Sequence, residues 1–113
     1  MNSEQKLKKY YNMNIEIIEK NGSYFGTLTG WIDTAVATQF IEDLKPLMSK
    51  ADKSIELNCA KLDYICSLGL RGLLQLKKES AAKGGKLVLT HVEGEVLKIL
   101  TMTGFIKLFD IRR

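Results

Sequence analysis

Asp63-Tyr64-Ile65-Cys66-Ser67-Leu68-Gly69-Leu70-Arg71-Gly72 leaves an apolar strand marked by Ile55, Leu57 and Cys59 and enters a helix that opens on a hydroxyl residue. That position makes Ser67 the expected N-cap, its oxygen accepting from backbone N–H groups one turn ahead. Gly69 and Gly72 follow within five residues. Each costs a helix about 0.5–1 kcal/mol against alanine, so something offsets the cost. A partner or a phosphate approaching the helix start would do so, because free N–H groups and the dipole favour an anion there. Tight packing of the helix on a sheet would do so equally. The residues alone leave both readings open.

Downstream, the helix is expected from Ser67 to about Lys83, with Leu70, Leu73, Leu74, Lys77 and Ala81 along its inner stripe. Gly84-Gly85 stops it. Lys86 to Thr90 is a short apolar run, the pattern of a strand covered on both faces. Glu93 and Glu95 suit the start of a further helix that buries Val96, Leu97 and Leu100 and ends at Gly104. Leu108, Phe109 and Ile111 form a last strand.

Upstream, Met13, Ile15 and Ile17 alternate with polar residues as a strand does, and Asn21-Gly22 is a strong hairpin signal. The return strand runs from Tyr24 to Thr29. Asp33 or Thr34 caps a helix whose apolar positions are Val36, Ala37, Phe40, Ile41, Leu44 and Leu47, and it finishes near Lys50. Pro46 predicts a kink or a restart at Lys45. Trp31, read as a loop residue, is either a partly buried lid over the core or an exposed partner contact. The order is β-β-α-β-α-β-α-β. It defines one α/β domain over residues 13–113, with an N-terminal hairpin, a mostly parallel, mixed sheet and helices packed on it. Residues 1–12, basic and aromatic, read as a flexible arm or an edge strand.

Three motifs in order carry a family resemblance. Tyr64-Ile65-Cys66-Ser67-Leu68-Gly69-Leu70-Arg71 resembles the central motif of the STAS domain family of bacterial anti-sigma-factor antagonists. Leu28-Thr29-Gly30-Trp31-Ile32-Asp33 resembles its Leu-x-Gly-x-Leu-Asp turn, and Thr103-Gly104-Phe105-Ile106-Lys107-Leu108-Phe109 its Ser/Thr-Gly-Leu-x-x-x-Phe close. The resemblance implies a STAS fold and a protein-binding switch that regulates sigma-factor-dependent transcription. It implies that the domain sequesters an anti-sigma factor of the histidine-kinase-like ATPase fold. That partner would phosphorylate Ser67 to end the interaction, and a metal-dependent serine phosphatase would restore it. Asp33 matches an aspartate beside the phosphorylatable serine. Asp33, Trp31, Cys66, Leu68, Gly69 and Arg71 are thereby expected at the partner-binding edge. Two positions depart from the pattern: Cys66 replaces an aspartate, and Leu68 a serine, threonine or alanine.

Composition narrows the alternatives. The chain has 113 residues, of which 45% are hydrophobic and 27% charged, the make-up of one folded domain that buries about two-thirds of its unfolded surface. No apolar run reaches a membrane span, and the basic start lacks the apolar core of a secretory signal. Two cysteines and one histidine make neither a disulfide framework nor a zinc site, so a reducing cytoplasm and no cofactor are expected. The net charge of +4 comes from basic residues scattered among acids, which argues against direct nucleic-acid binding.

In an open α/β sheet, function gathers beyond the carboxyl ends of parallel strands. The connections after Thr29, Ala60 and Thr90 would bring Asp33, Asp63, Cys66, Ser67 and His91 to one edge. A hydrolase using Ser67 lacks support, since Ile65 stands where a nucleophile elbow has its first glycine. Cys66, just before a helix start, is a redox candidate or an ordinary small turn residue. The remaining alternative is a STAS interaction subunit of a signalling or lipid-transport complex that is never phosphorylated.

Overall fold

The computed structural model describes residues 9–11 and 14–113. Met1 to Lys8, Asn12 and Met13 lie outside the described residues, and with them most of the expected arm and the first residue of the expected opening strand. The elements are β1 (Lys9–Tyr11), β2 (Ile15–Lys20), β3 (Ser23–Ile32), α1 (Thr34–Asp43), α2 (Lys45–Met48), β4 (Ser54–Ile65), α3 (Ser67–Ala82), β5 (Lys86–Thr90), α4 (Gly94–Thr103), a 3-10 turn (Phe105–Leu108) and β6 (Asp110–Ile111). They build one sheet in the order β1-β2-β3-β4-β5-β6. The first two pairings are antiparallel and the last three parallel. The β2–β3 turn is the expected hairpin: Lys20 pairs with Ser23, and Asn21 and Gly22 both take positive φ, 52° and 81°.

Each parallel crossover steps one strand further in the same direction. With right-handed connections, that puts every helix on the same side of the sheet. The core agrees. Ile15, Ile17, Leu28, Ile55, Leu57, Leu87 and Leu89 alternate inward on the strands and share one cluster with Phe40, Leu44, Leu73, Leu76, Val96 and Leu100 of the helices. The other face keeps Ile18, Phe25 and Trp31 in solvent.

Pro46 acts as expected. α1 ends at Asp43 and a four-residue α2 restarts at Lys45, stopping at Met48 rather than Lys50. The inner stripe of α3 differs from expectation: Gly69, Leu70, Gly72, Leu73, Leu76 and Ser80 are buried, Lys77 is half-buried and Ala81 exposed. The two glycines mark the contact line, and Leu76 and Ser80 continue it. Ser80 thus carries a buried hydroxyl with no hydrogen-bond partner among the described residues. Ser80→Ala is expected to raise stability by about 1 kcal/mol, since it removes an unpaired polar group and improves helix propensity. A urea midpoint that fell in this variant would contradict that account.

β3 and β4 run further than the alternation of apolar residues indicates. Thr27 pairs with Asn58 but Thr29 with Lys61; Gly30 pairs with Leu62 but Trp31 with Tyr64. β4 therefore holds two extra residues, the second being Asp63, and each is a bulge in the ladder. The first is shaped by Asn58, whose Oδ1 accepts from Ala60 N–H at 2.8 Å. After Cys59 the inward positions come every third residue, at Leu62 and Ile65, and the strand continues to Ile65.

Candidate functional site at the strand ends

The extended β3 and β4 finish side by side. Ile32 pairs with Ile65, and Cys66 N–H donates to Ile32 O at 2.8 Å. Each strand then enters a helix, so two helix N-termini lie next to one another. Asp33 fills the first: its Oδ1 accepts from Val36 N–H at 3.2 Å, and its carbonyl accepts from Ala37 N–H. The second is different. The N-cap of α3 is Cys66, not Ser67, and no side chain caps it. Extended backbone at Cys66 (φ −83°, ψ 171°) already precedes the helix, which moves Ser67 to the first helical position.

Ser67 is exposed there, and its hydroxyl makes no hydrogen bond to a described residue. The first-turn N–H groups of α3 consequently keep no side-chain acceptor, the condition in which a helix start receives an anion. Arg71 is exposed one turn further along. Leu68 and Cys66 are half-buried and pack against the core cluster, so both departures from the motif are used from within.

Gly69 is buried beneath this turn. A Cβ added to it would lie 2.8 Å from Ile65 Cγ1 and 3.2 Å from Ile32 Cγ2. At Gly72 an added Cβ would meet Ile41 Cγ1 of α1 at 2.6 Å. Of the two readings offered for the glycines, close packing accounts for both. Gly69 faces the sheet and Gly72 the neighbouring helix.

Trp31 is a strand residue, neither a loop nor a lid. It is 62% exposed and stacks on Tyr64, its cross-strand neighbour, with ring centroids 4.8 Å apart. The sequence reading missed Tyr64 because β4 was ended at Cys59. The three-residue spacing of Cys59, Leu62 and Ile65 was the available signal.

Asp33, Cys66 and Ser67 meet at one edge, but His91 does not join them. Asn58 pairs with both Thr27 and Thr90, whereas Ile65 pairs with Ile32. β5 therefore stops five β3 residues (32 − 27) short of the exit, about 17 Å at the usual strand rise. His91, exposed with φ 55°, has its hydrogen bond among the described residues with its neighbour Thr90, Nδ1 to Oγ1 at 3.2 Å. Asp63 is an exposed bulge residue within β4, not part of the following turn. Ser67 and His91 thus form no catalytic pair. Among the described residues no three His, Cys, Asp or Glu side chains cluster as metal ligands would, and no helix is long and apolar enough to cross a membrane.

A sequentially ordered sheet with helices on one side, and an uncapped hydroxyl-bearing helix start at its strand ends, defines a small α/β domain. The sequence profile of the STAS domain matches residues 14–113, and the chain belongs to that family. BtrV of Bordetella bronchiseptica, an anti-sigma factor antagonist by name, is 28% identical over 99 residues, covering 88% of this chain and 85% of its own. By fold, the chain resembles an anti-sigma factor antagonist from Mycobacterium paratuberculosis (TM-score 0.75, 14% identity, 88% of this chain and 84% of that one). It also resembles the Bacillus cell fate determinant SpoIIAA in its phosphorylated form (TM-score 0.64, 16% identity, 86% and 89%).

Proposed function

We propose that this protein is an anti-sigma-factor antagonist working in the cytoplasm as a phosphorylation-controlled binding switch. Its unmodified form binds an anti-sigma factor of the histidine-kinase-like ATPase fold through Asp33, Trp31, Cys66, Ser67, Leu68 and Arg71, with Gly69 seating the turn from beneath. The sigma factor is thereby released. The partner then transfers the γ-phosphoryl group of ATP to Ser67 Oγ and leaves as its ADP form, and a metal-dependent serine phosphatase resets the switch. All nucleotide and metal chemistry belongs to the partners, so the chain itself is a regulator rather than an enzyme.

One observation carries this reading: an exposed, unbonded hydroxyl on the first residue of a helix whose start is uncapped. A phosphate there finds backbone donors and a favourable dipole in its own chain. The same dianion is repelled within a closely fitted interface, where mismatched charge costs several kcal/mol. Fold and binding can then respond separately.

Ser67→Asp is expected to weaken binding to the anti-sigma factor by about a hundredfold, with Ser67→Ala close to the unsubstituted protein. Calorimetric titration of the purified pair measures both. Equal affinity for the two variants would refute the switch. So would the absence of a single phosphate on Ser67 after incubation with the partner and ATP.

A further inference from the structure

Arg71 stands four residues after Ser67 on α3, and both are exposed. In an α-helix the Cα–Cβ bonds tilt toward the N-terminus, and residues four apart lie over one another on one face. An arginine at this position can therefore reach back over the turn that carries Ser67, across a helix rise of about 6 Å. An acid at position i and a base at i+4 is also the favourable order along a helix.

Among the described residues, no charged side chain pairs with Arg71. The acids of α1 and its cap, the helix packed against α3, are each engaged already. Asp33 accepts from Val36 N–H, Glu42 pairs with Lys45 at 3.1 Å, and Asp43 accepts from Gln39 Nε2 at 2.8 Å. Gln75, one turn beyond Arg71, is neutral.

We propose that Arg71 is the counter-ion of a phosphoryl group on Ser67, an inference that rests on the reading of Ser67 as a phosphorylation site. In that transfer the Ser67 Oγ–P bond forms, the bond from the γ-phosphorus to the bridging oxygen breaks, ADP departs and the hydroxyl proton passes to solvent. The edge then changes twice. It gains nearly two negative charges, and a cation that faced the partner becomes tied into a pair within the chain.

The test installs phosphoserine at position 67 by genetic encoding, so that no kinase is needed, and follows its phosphorus resonance from pH 4 to 8. Arg71→Gln is expected to raise the apparent second pKa of the phosphoserine by about half a unit. Arg71→Lys falls between the two, because an ammonium keeps the charge without the planar fork. Asp33, the acid at the adjoining helix start, opposes phosphate ionisation in all three proteins and cancels from the comparison. Identical titration curves for Arg71 and Arg71→Gln, with circular dichroism showing both folded, would overturn the proposal. Failure of the kinase to modify Ser67 would instead count against the switch, and the two failures are told apart because this measurement uses no kinase.

Discussion

Gly69→Val is expected to destabilise the domain by about 3 kcal/mol, a large share of the 5–15 kcal/mol typical of whole domains. The cause is local. An added Cβ meets Ile65 at 2.8 Å and Ile32 at 3.2 Å, and both isoleucines are buried at 1% exposure or less. Their β-branched side chains have few rotamers to retreat into. Alanine would recover up to about 1 kcal/mol of helix propensity against the same clash, so Gly69→Ala should be milder. Valine adds two methyl groups with no such return. Gly72→Ala is the useful comparison, because Ile41 is only half-buried on α1 and can move away. Urea unfolding of the three variants should rank them with Gly69→Val least stable. A wild-type midpoint for Gly69→Val would mean that α3 does not approach the strand ends as closely as described. The effect also bears on the proposed switch, since lifting this turn displaces Ser67.

Alkaline pH should expose the second large effect. Burial in the core pushes the Cys59 thiol up to about 12 from an ordinary value near 9.0. The unfolded chain loses this proton near pH 9 while the folded one holds it, so the unfolded state binds fewer protons between these values. The thiol's contribution is intact below pH 9 and declines as pH rises, by roughly 1.4 kcal/mol per unit, reaching about 4 kcal/mol near pH 12. Other groups titrate in the same window, so the diagnostic quantity is a difference. Denaturation midpoints of Cys59→Ala should fall less steeply between pH 9 and 11 than those of the unsubstituted protein. Parallel slopes would show that Cys59 is not held away from water.

The order of elements could be read from residue spacing because each signal was local. Asn21-Gly22 needs only its own two dihedrals, and Pro46 needs only its missing N–H. The lengths of β3 and β4 were harder. Two bulges shift the inward positions to Leu62 and Ile65, and a strict alternation of two therefore ended β4 at Cys59. That error carried into the site. With β4 short, the turns after β4 and β5 looked level, and His91 was grouped with Ser67. How far one strand outruns its neighbour is a property of register, which single-strand periodicity does not encode. The cap of α3 was missed by one residue for a related reason. Serine favours the cap by propensity, but the hydrogen bond from Cys66 N–H to Ile32 O fixes where the strand lets go.

The agreement between strand order and chain order has a bearing on how the protein is made. Every strand after the first pairs with the one synthesised immediately before it, so no segment waits for a distant mate to leave the ribosome. Growth of the sheet can keep pace with translation, each crossover helix closing over a floor that already exists. By the time Ala82 emerges, the two strand exits and both helix starts around Ser67 are in hand. The edge around Ser67 is thus built wholly from elements that precede β5, α4 and β6 in the chain, and can take shape before those elements join the sheet.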